Sequence, residues 1–149
     1  MAADYAIGFA GVTELPEQIG ASIHAATRRY AETHRAPICA LVLDSKPVRD
    51  EPLAYRRREA VHSPAWAERF PPPARWPSIL ERETYGFLAP ARRALVWSPV
   101  AGSWIYRDLQ GRQVTLQFEL FSNSYRTFAL IWVPQREWLK KRRVIVPTF

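Results

Sequence analysis

The chain has little of what many functional sites are built from. A single cysteine, Cys39, among 149 residues excludes an internal disulfide and makes a reducing compartment the simpler expectation. It sits inside the apolar run Ile38-Cys39-Ala40-Leu41-Val42-Leu43, where a free thiol packs as a small hydrophobe. Six glycines leave little material for a phosphate-cradling loop, and G-x-x-x-x-G-K-[ST], G-x-G-x-x-G and G-x-S-x-G are all absent. His24, His34 and His62 have no ligand spacing to Cys or acidic residues, which argues against zinc. No cofactor is implied. No apolar run approaches the roughly eighteen residues of a membrane span, no basic stretch leads into an apolar one near the start, and no internal repeat recurs. The expectation is a soluble, cytoplasmic chain with no membrane partner.

What the chain does have is apolar and aromatic residues. Six Trp, six Tyr and seven Phe, with 48% hydrophobic residues overall, are too many for a disordered polypeptide. The length suits one domain, 1–149, able to bury about two-thirds of its unfolded surface. The expected fold is α+β: one long N-terminal amphipathic helix packed on a mainly antiparallel sheet, with a proline-rich segment wrapping the body between them.

Three regions carry that expectation. In 13–43, Thr13 can cap a helix that tolerates Pro16 in its first turn. Leu15, Ile19, Ile23, Ala26 and Tyr30 then form one apolar stripe running to about Thr33. Ala36-Pro37 stops the helix, and 38–43 reads as a buried strand. Region 45–90 holds eight of the thirteen prolines and predicts short helical pieces at Leu53–His62, Pro64–Phe70 and Pro77–Tyr85. Trp66, Phe70, Trp76, Tyr85 and Phe87 are its anchors on the body. Region 94–146 reads as an antiparallel meander with a basic tail. Strands are expected near 94–98, 103–109, 112–121 and 125–133, and Val144-Ile145-Val146 is a candidate final edge strand.

The turns of the meander decide its faces, because a one-residue slip exchanges them. Two-residue turns at Gln110-Gly111 and Asn123-Ser124 place Ile105, Val114, Leu116, Phe118, Leu120, Ala129, Ile131 and Val133 on the core side. The opposite side then shows Trp104, Tyr106, Thr115, Gln117, Glu119, Phe121, Arg126, Phe128, Leu130 and Trp132. Flat rings mixed with hydrogen-bonding groups and flanking cations suit single-stranded nucleic acid, whose bases stack on such rings. Large aromatics on both faces more often mean that both faces are covered, here by the proline-rich region. Binding would then rest on the basic tail and the Arg56-Arg57-Arg58 and Arg92-Arg93 clusters, which alone are more often solvated surface.

Charge points the same way. The net charge of +7 is uneven: residues 1–50 carry five basic and six acidic side chains, 51–93 eight and five, and 94–149 eight and three. The densest cluster is Lys140-Lys141-Arg142-Arg143, which would attract a polyanion. The functional expectation is a non-enzymatic accessory or regulatory protein that binds nucleic acid or a nucleoprotein. Its candidate contact residues are Trp104, Tyr106, Gln117, Arg126, Phe128, Trp132, Lys140, Lys141, Arg142 and Arg143. A protein-binding adaptor or inhibitor docking through aromatics and arginines is the alternative. Third comes a metal-dependent nuclease, because Asp44-Ser45-Lys46 after an apolar strand imitates a D-x-K element. That element lacks a second carboxylate, and a strand-end turn accounts for Asp44 as well.

Overall fold

The apolar run at 38–43 is the axis of the molecule. In the computed structural model, which describes residues 7–8, 23–94, 99–123 and 125–134, it forms strand β1 (Ile38–Asp44). Antiparallel neighbours flank it on both sides: β3 (Leu53–His62) and β7 (Arg126–Trp132). Strands β2 (Arg49–Asp50), β5 (Val100–Arg107) and β6 (Gln113–Ser122) complete the order β2-β3-β1-β7-β6-β5. A short β4 (Ile79–Glu81) pairs with Ala54–Arg56 of β3. The first six residues of β1 are buried, so their side chains need cover above and below the sheet.

One face is covered by the proline-rich segment. Ser63 is a buried hub whose Oγ donates to the Ala36 carbonyl (2.7 Å) and accepts from the Ile38 (3.1 Å) and Trp66 (3.3 Å) amides. It thereby ties the start of β1 to the short helix α2 (Pro64–Ala67), of which it is the N-cap. Trp66 and Phe70 are fully buried, and Trp76, Tyr85 and Phe87 pack with Leu41, Leu43, Leu116 and Ile131 in one cluster. Each fully buried large apolar side chain contributes about 1.5–3 kcal/mol. The anchor residues expected of the wrap are therefore its anchors.

The other face is covered by a helix, here α1 (Ile23–Thr33). Ala26, Tyr30 and Ala31 lie against Ile38, Ala40, Val42, Phe121, Phe128 and Leu130. The expected long N-terminal helix, and with it the α+β class, is corrected: the fold is mostly a curled antiparallel sheet with short helices. Eleven residues span about 16 Å, enough to cross the central strands, and Thr13 to Ser22 lie outside the described residues.

A second correction raises the strand content. Leu53–His62 is a ten-residue strand, not a helical piece. Its Arg, Ala and Glu favour a helix locally, but β1, β2 and β4 offer pairing along both edges, and that tertiary pairing overrides propensity. Pro77–Tyr85 likewise contains β4. The expected strand at 94–98 and the candidate strand at 144–146 lie mostly or wholly outside the described residues.

The third correction concerns the meander's faces. Between Arg107 and its partner Gln113 lie residues 108–112, not a two-residue turn. Asp108 builds this loop: its carboxylate accepts from the Gln110 and Arg112 amides, both at 2.9 Å, while Gly111 takes φ +79°, a left-handed geometry that suits glycine. The longer loop shifts register by one residue, so Trp104 faces Leu116 and Ile105 faces Thr115. Trp104 and Tyr106 thus join the core side, and Ile105 points outward, 60% exposed. The β6–β7 turn is longer by two, with Ser122 opposite Thr127, and an even shift leaves its faces as expected.

This register predicts opposite responses at neighbouring positions. Leu116→Ala should cost about 2–5 kcal/mol, whereas Ile105→Ser should change stability by less than about 0.5 kcal/mol. Urea melts of both variants check it, and a loss at Ile105→Ser as large as that at Leu116→Ala would restore the two-residue turn.

Candidate functional site

Arg56-Arg57-Arg58 lies in the middle of β3, where strand alternation should send successive side chains to opposite faces. An irregularity in the β1–β3 pairing intervenes: Val42 faces Glu59, but Leu43 faces Arg57, so Arg58 is an extra residue. Arg57 points to the wrapped side and donates to the Trp76 carbonyl at 2.8 Å. Arg58 and Glu59, although consecutive, both reach the helix side. Glu59 accepts from Arg28 of α1 at 3.0 Å. Arg58 grips Asp44, its Nε donating to Oδ1 at 2.6 Å and its Nη2 to Oδ2 at 3.3 Å.

Asp44 gathers two more cations. Arg56 Nε lies 3.8 Å from Oδ2, and Arg126 is the residue directly opposite Asp44 in the β1–β7 ladder. One carboxylate thus faces three guanidinium groups, an excess of two positive charges. The hydrogen bond from Arg58 chiefly holds the Asp44 carboxyl below its ordinary range, with the charges of Arg58, Arg126 and Arg56 adding to it against some desolvation. The Asp44 side chain is 23% exposed, against 41% for Arg56 and 50% for Arg58, so the cations, not the anion, meet solvent. Lys46 is exposed two residues further on.

The β6–β7 hairpin brings an aromatic ring to this end of the sheet. The Asn123 side chain accepts from the amides of Tyr125 (3.0 Å) and Arg126 (2.8 Å), a local turn that sets the backbone of the tip. Tyr125 is 77% exposed, and every other aromatic residue whose burial is described is buried or half-buried.

The other residues anticipated as a platform are dispersed. Trp104 and Tyr106 stack on each other with centroids 4.6 Å apart beneath the wrap, and Trp76 Nε1 donates to Tyr106 Oη at 3.0 Å. Trp104 is only 8% exposed. Phe128, fully buried, and half-buried Trp132 lie on the opposite face, in the cluster beneath α1. Gln117 shares that face and donates to Ser103 at 3.1 Å. These rings neither share a face nor stand open to a base. Of the anticipated set, Arg126 alone joins the arginine cluster, and Lys140, Lys141, Arg142 and Arg143 lie outside the described residues. Tyr125 and the meeting of Arg56 and Arg58 on Asp44 went unforeseen, although Arg56-Arg57-Arg58 is a visible cluster in the sequence. Reading Leu53–His62 as a strand whose middle pairs with the end of β1 is the signal that could have found the meeting.

The D-x-K element has a different environment from the one its imitation suggests. Asp44 is ringed by guanidinium groups that repel a divalent cation, and among the described residues no three His, Cys, Asp or Glu side chains gather to hold a metal. Among the same residues no helix is long and apolar enough to cross a membrane. No protein-family model matches this chain, and no curated protein matches it.

The cluster has a pH signature. Because Asp44 has a depressed folded-state pKa, its contribution to stability is present above the unfolded value of about 3.9 and is lost as pH falls through the lower folded value. Asp44→Asn should therefore be less stable than wild type at neutral pH, with the difference closing as pH falls below the unfolded value and through the depressed folded one. Denaturant midpoints across that range check this, and a difference independent of pH would contradict it.

Proposed function

We propose that this protein binds nucleic acid, alone or within a nucleoprotein, as a small non-enzymatic accessory or regulatory protein, and that it holds phosphate at the arginine end of its sheet. The observation that carries this reading is the convergence of Arg56, Arg58 and Arg126 on Asp44, with half-exposed guanidinium groups and an excess of two positive charges among the described residues of the cluster. Guanidinium groups suit phosphate because their planar fork donates parallel hydrogen bonds to its oxygens. Arg58 has five N–H donors and directs Nε and Nη2 at Asp44, so donors remain for a ligand. Lys46, and Lys140, Lys141, Arg142 and Arg143 in the tail, would add attraction over a longer range, in keeping with the net charge of +7. A cytoplasmic setting suits the lone thiol of Cys39, which is fully buried.

A second reading, docking on a protein partner, is favoured by a different observation. Ile105 and Leu109 are 60% and 59% exposed on or beside β5, far in sequence from the arginine cluster. Salt separates the two, since phosphate contacts release counterions and a packed apolar interface does not.

Replacing Arg56, Arg58 and Arg126 together by Ala should weaken binding of labelled DNA and RNA of every sequence alike. The dependence of log affinity on log salt should flatten by about 0.7–0.9 per lost phosphate contact. Fluorescence anisotropy over a salt series measures both quantities. Absence of binding by the wild type to single- or double-stranded DNA or RNA at low salt would overturn the proposal and favour the protein partner.

A further inference from the structure

We infer that the ligand of the arginine end is single-stranded nucleic acid, with an unpaired base stacking on Tyr125 while Arg56, Arg58 and Arg126 hold the neighbouring phosphates. This rests on the phosphate-binding reading above and adds the strandedness of the ligand and the residue that selects it.

Three observations carry it. The first is economy of rings: Trp66, Phe70, Phe87 and Phe128 are fully buried, Trp76, Tyr85 and Trp104 nearly so, yet Tyr125 stands 77% in solvent. An aromatic ring left in water forgoes the burial that every other aromatic side chain with a described burial obtains in whole or in part. The second is position. Tyr125 immediately precedes Arg126, which faces Asp44 across the β1–β7 ladder, and Asp44 is gripped by Arg58 and approached by Arg56. Ring and cations therefore sit toward one end of β1, on the two strands that flank it. The third is pre-organisation. The Asn123 side chain fixes the amides of both Tyr125 and Arg126, and Arg126 Nη1 donates to the Tyr125 carbonyl at 2.9 Å. The backbone of Tyr125 and Arg126 is thus held by hydrogen bonds without a ligand, which lowers the ordering cost of binding.

Ring and guanidinium together discriminate between strands. In a duplex the base faces are occupied by their stacked neighbours, so the ring has no free π-face to meet and only the phosphates are read. In a single strand a base can turn onto the tyrosine, a contact tolerant of sequence because every base has a face. The arginines alone would bind both forms; Tyr125 adds affinity for one of them.

The test uses the full-length chain with a labelled single-stranded oligothymidine, its RNA counterpart and the matching duplex, titrated at fixed salt and over a salt series. The single strands should bind more tightly than the duplex. Tyr125→Ala should weaken single-strand binding roughly 5- to 100-fold, the loss of one base stack, with the salt slope and duplex affinity unchanged. Tyr125→Phe should retain the affinity. Tyr125 is exposed, so the variants should fold, and a thermal melt verifies it. Equal binding of duplex and single strand, or a Tyr125→Ala variant that matches wild type on single strands, would overturn the inference while leaving the phosphate site in place. A wild type that binds none of the three probes would remove both.

Discussion

Strand β1 has apolar side chains on both faces and therefore needs cover on both sides, and the rest of the structure follows from that need. A strand of this kind costs several kcal/mol of unrealised burial if either face stays wet. A proline-rich segment closes one face and a short helix the other, and both bring rings. The aromatic wealth of this chain is thus spent mostly on covering its own sheet. That is why Trp104 and Tyr106 face Trp76 and Phe70, and why Phe128 lies under α1.

Once both faces are closed, chemistry is left to the ends of the strands, and two local irregularities determine what stands there. Alternation puts Arg56 and Arg58 on one side of β3, where both meet the same carboxylate, and the extra residue at Arg58 brings Glu59 to that side as well. The Asn123 turn places Tyr125 and Arg126 beside them. Each device is a departure from regular strand pairing, and departures of this kind commonly re-aim side chains beside functional sites. Asp44 is the pivot of the cluster: by holding Arg58 it orders one cation and leaves the set with a net charge that a phosphate can match.

Much of the sheet is legible in the sequence because burial on both sides writes a continuous apolar run, as in 38–43 and 128–132, and one-sided burial writes alternation, as in 113–120. Two kinds of information are not written that way. The state of Leu53–His62 depends on partners distant in the chain, and its Arg-rich composition looks helical when read alone. The face of β5 depends on whether its loop has an even or odd number of residues, which the Asp108 side chain decides through two amide hydrogen bonds that no periodicity reveals. A single such loop moved Trp104 and Tyr106 from the anticipated platform into the core. The candidate site follows the same division: Arg126 is legible as a cation at a strand start, but its companions Arg56 and Arg58 come from a segment whose composition looks helical. Tyr125 lay in a turn where no pattern marks it.

On the proposed reading, ligands meet this protein at the arginine end and not on the sheet faces. Backbone amide chemical shifts, mapped with and without a short single-stranded oligonucleotide, decide between the two. Shifts should concentrate at Asp44–Lys46, Arg56–Arg58 and Asn123–Arg126, with Trp104, Tyr106, Gln117 and Phe128 unmoved. Shifts centred on Trp104–Tyr106 or on Phe128 and Trp132 would contradict it, because they would require a covered face to open.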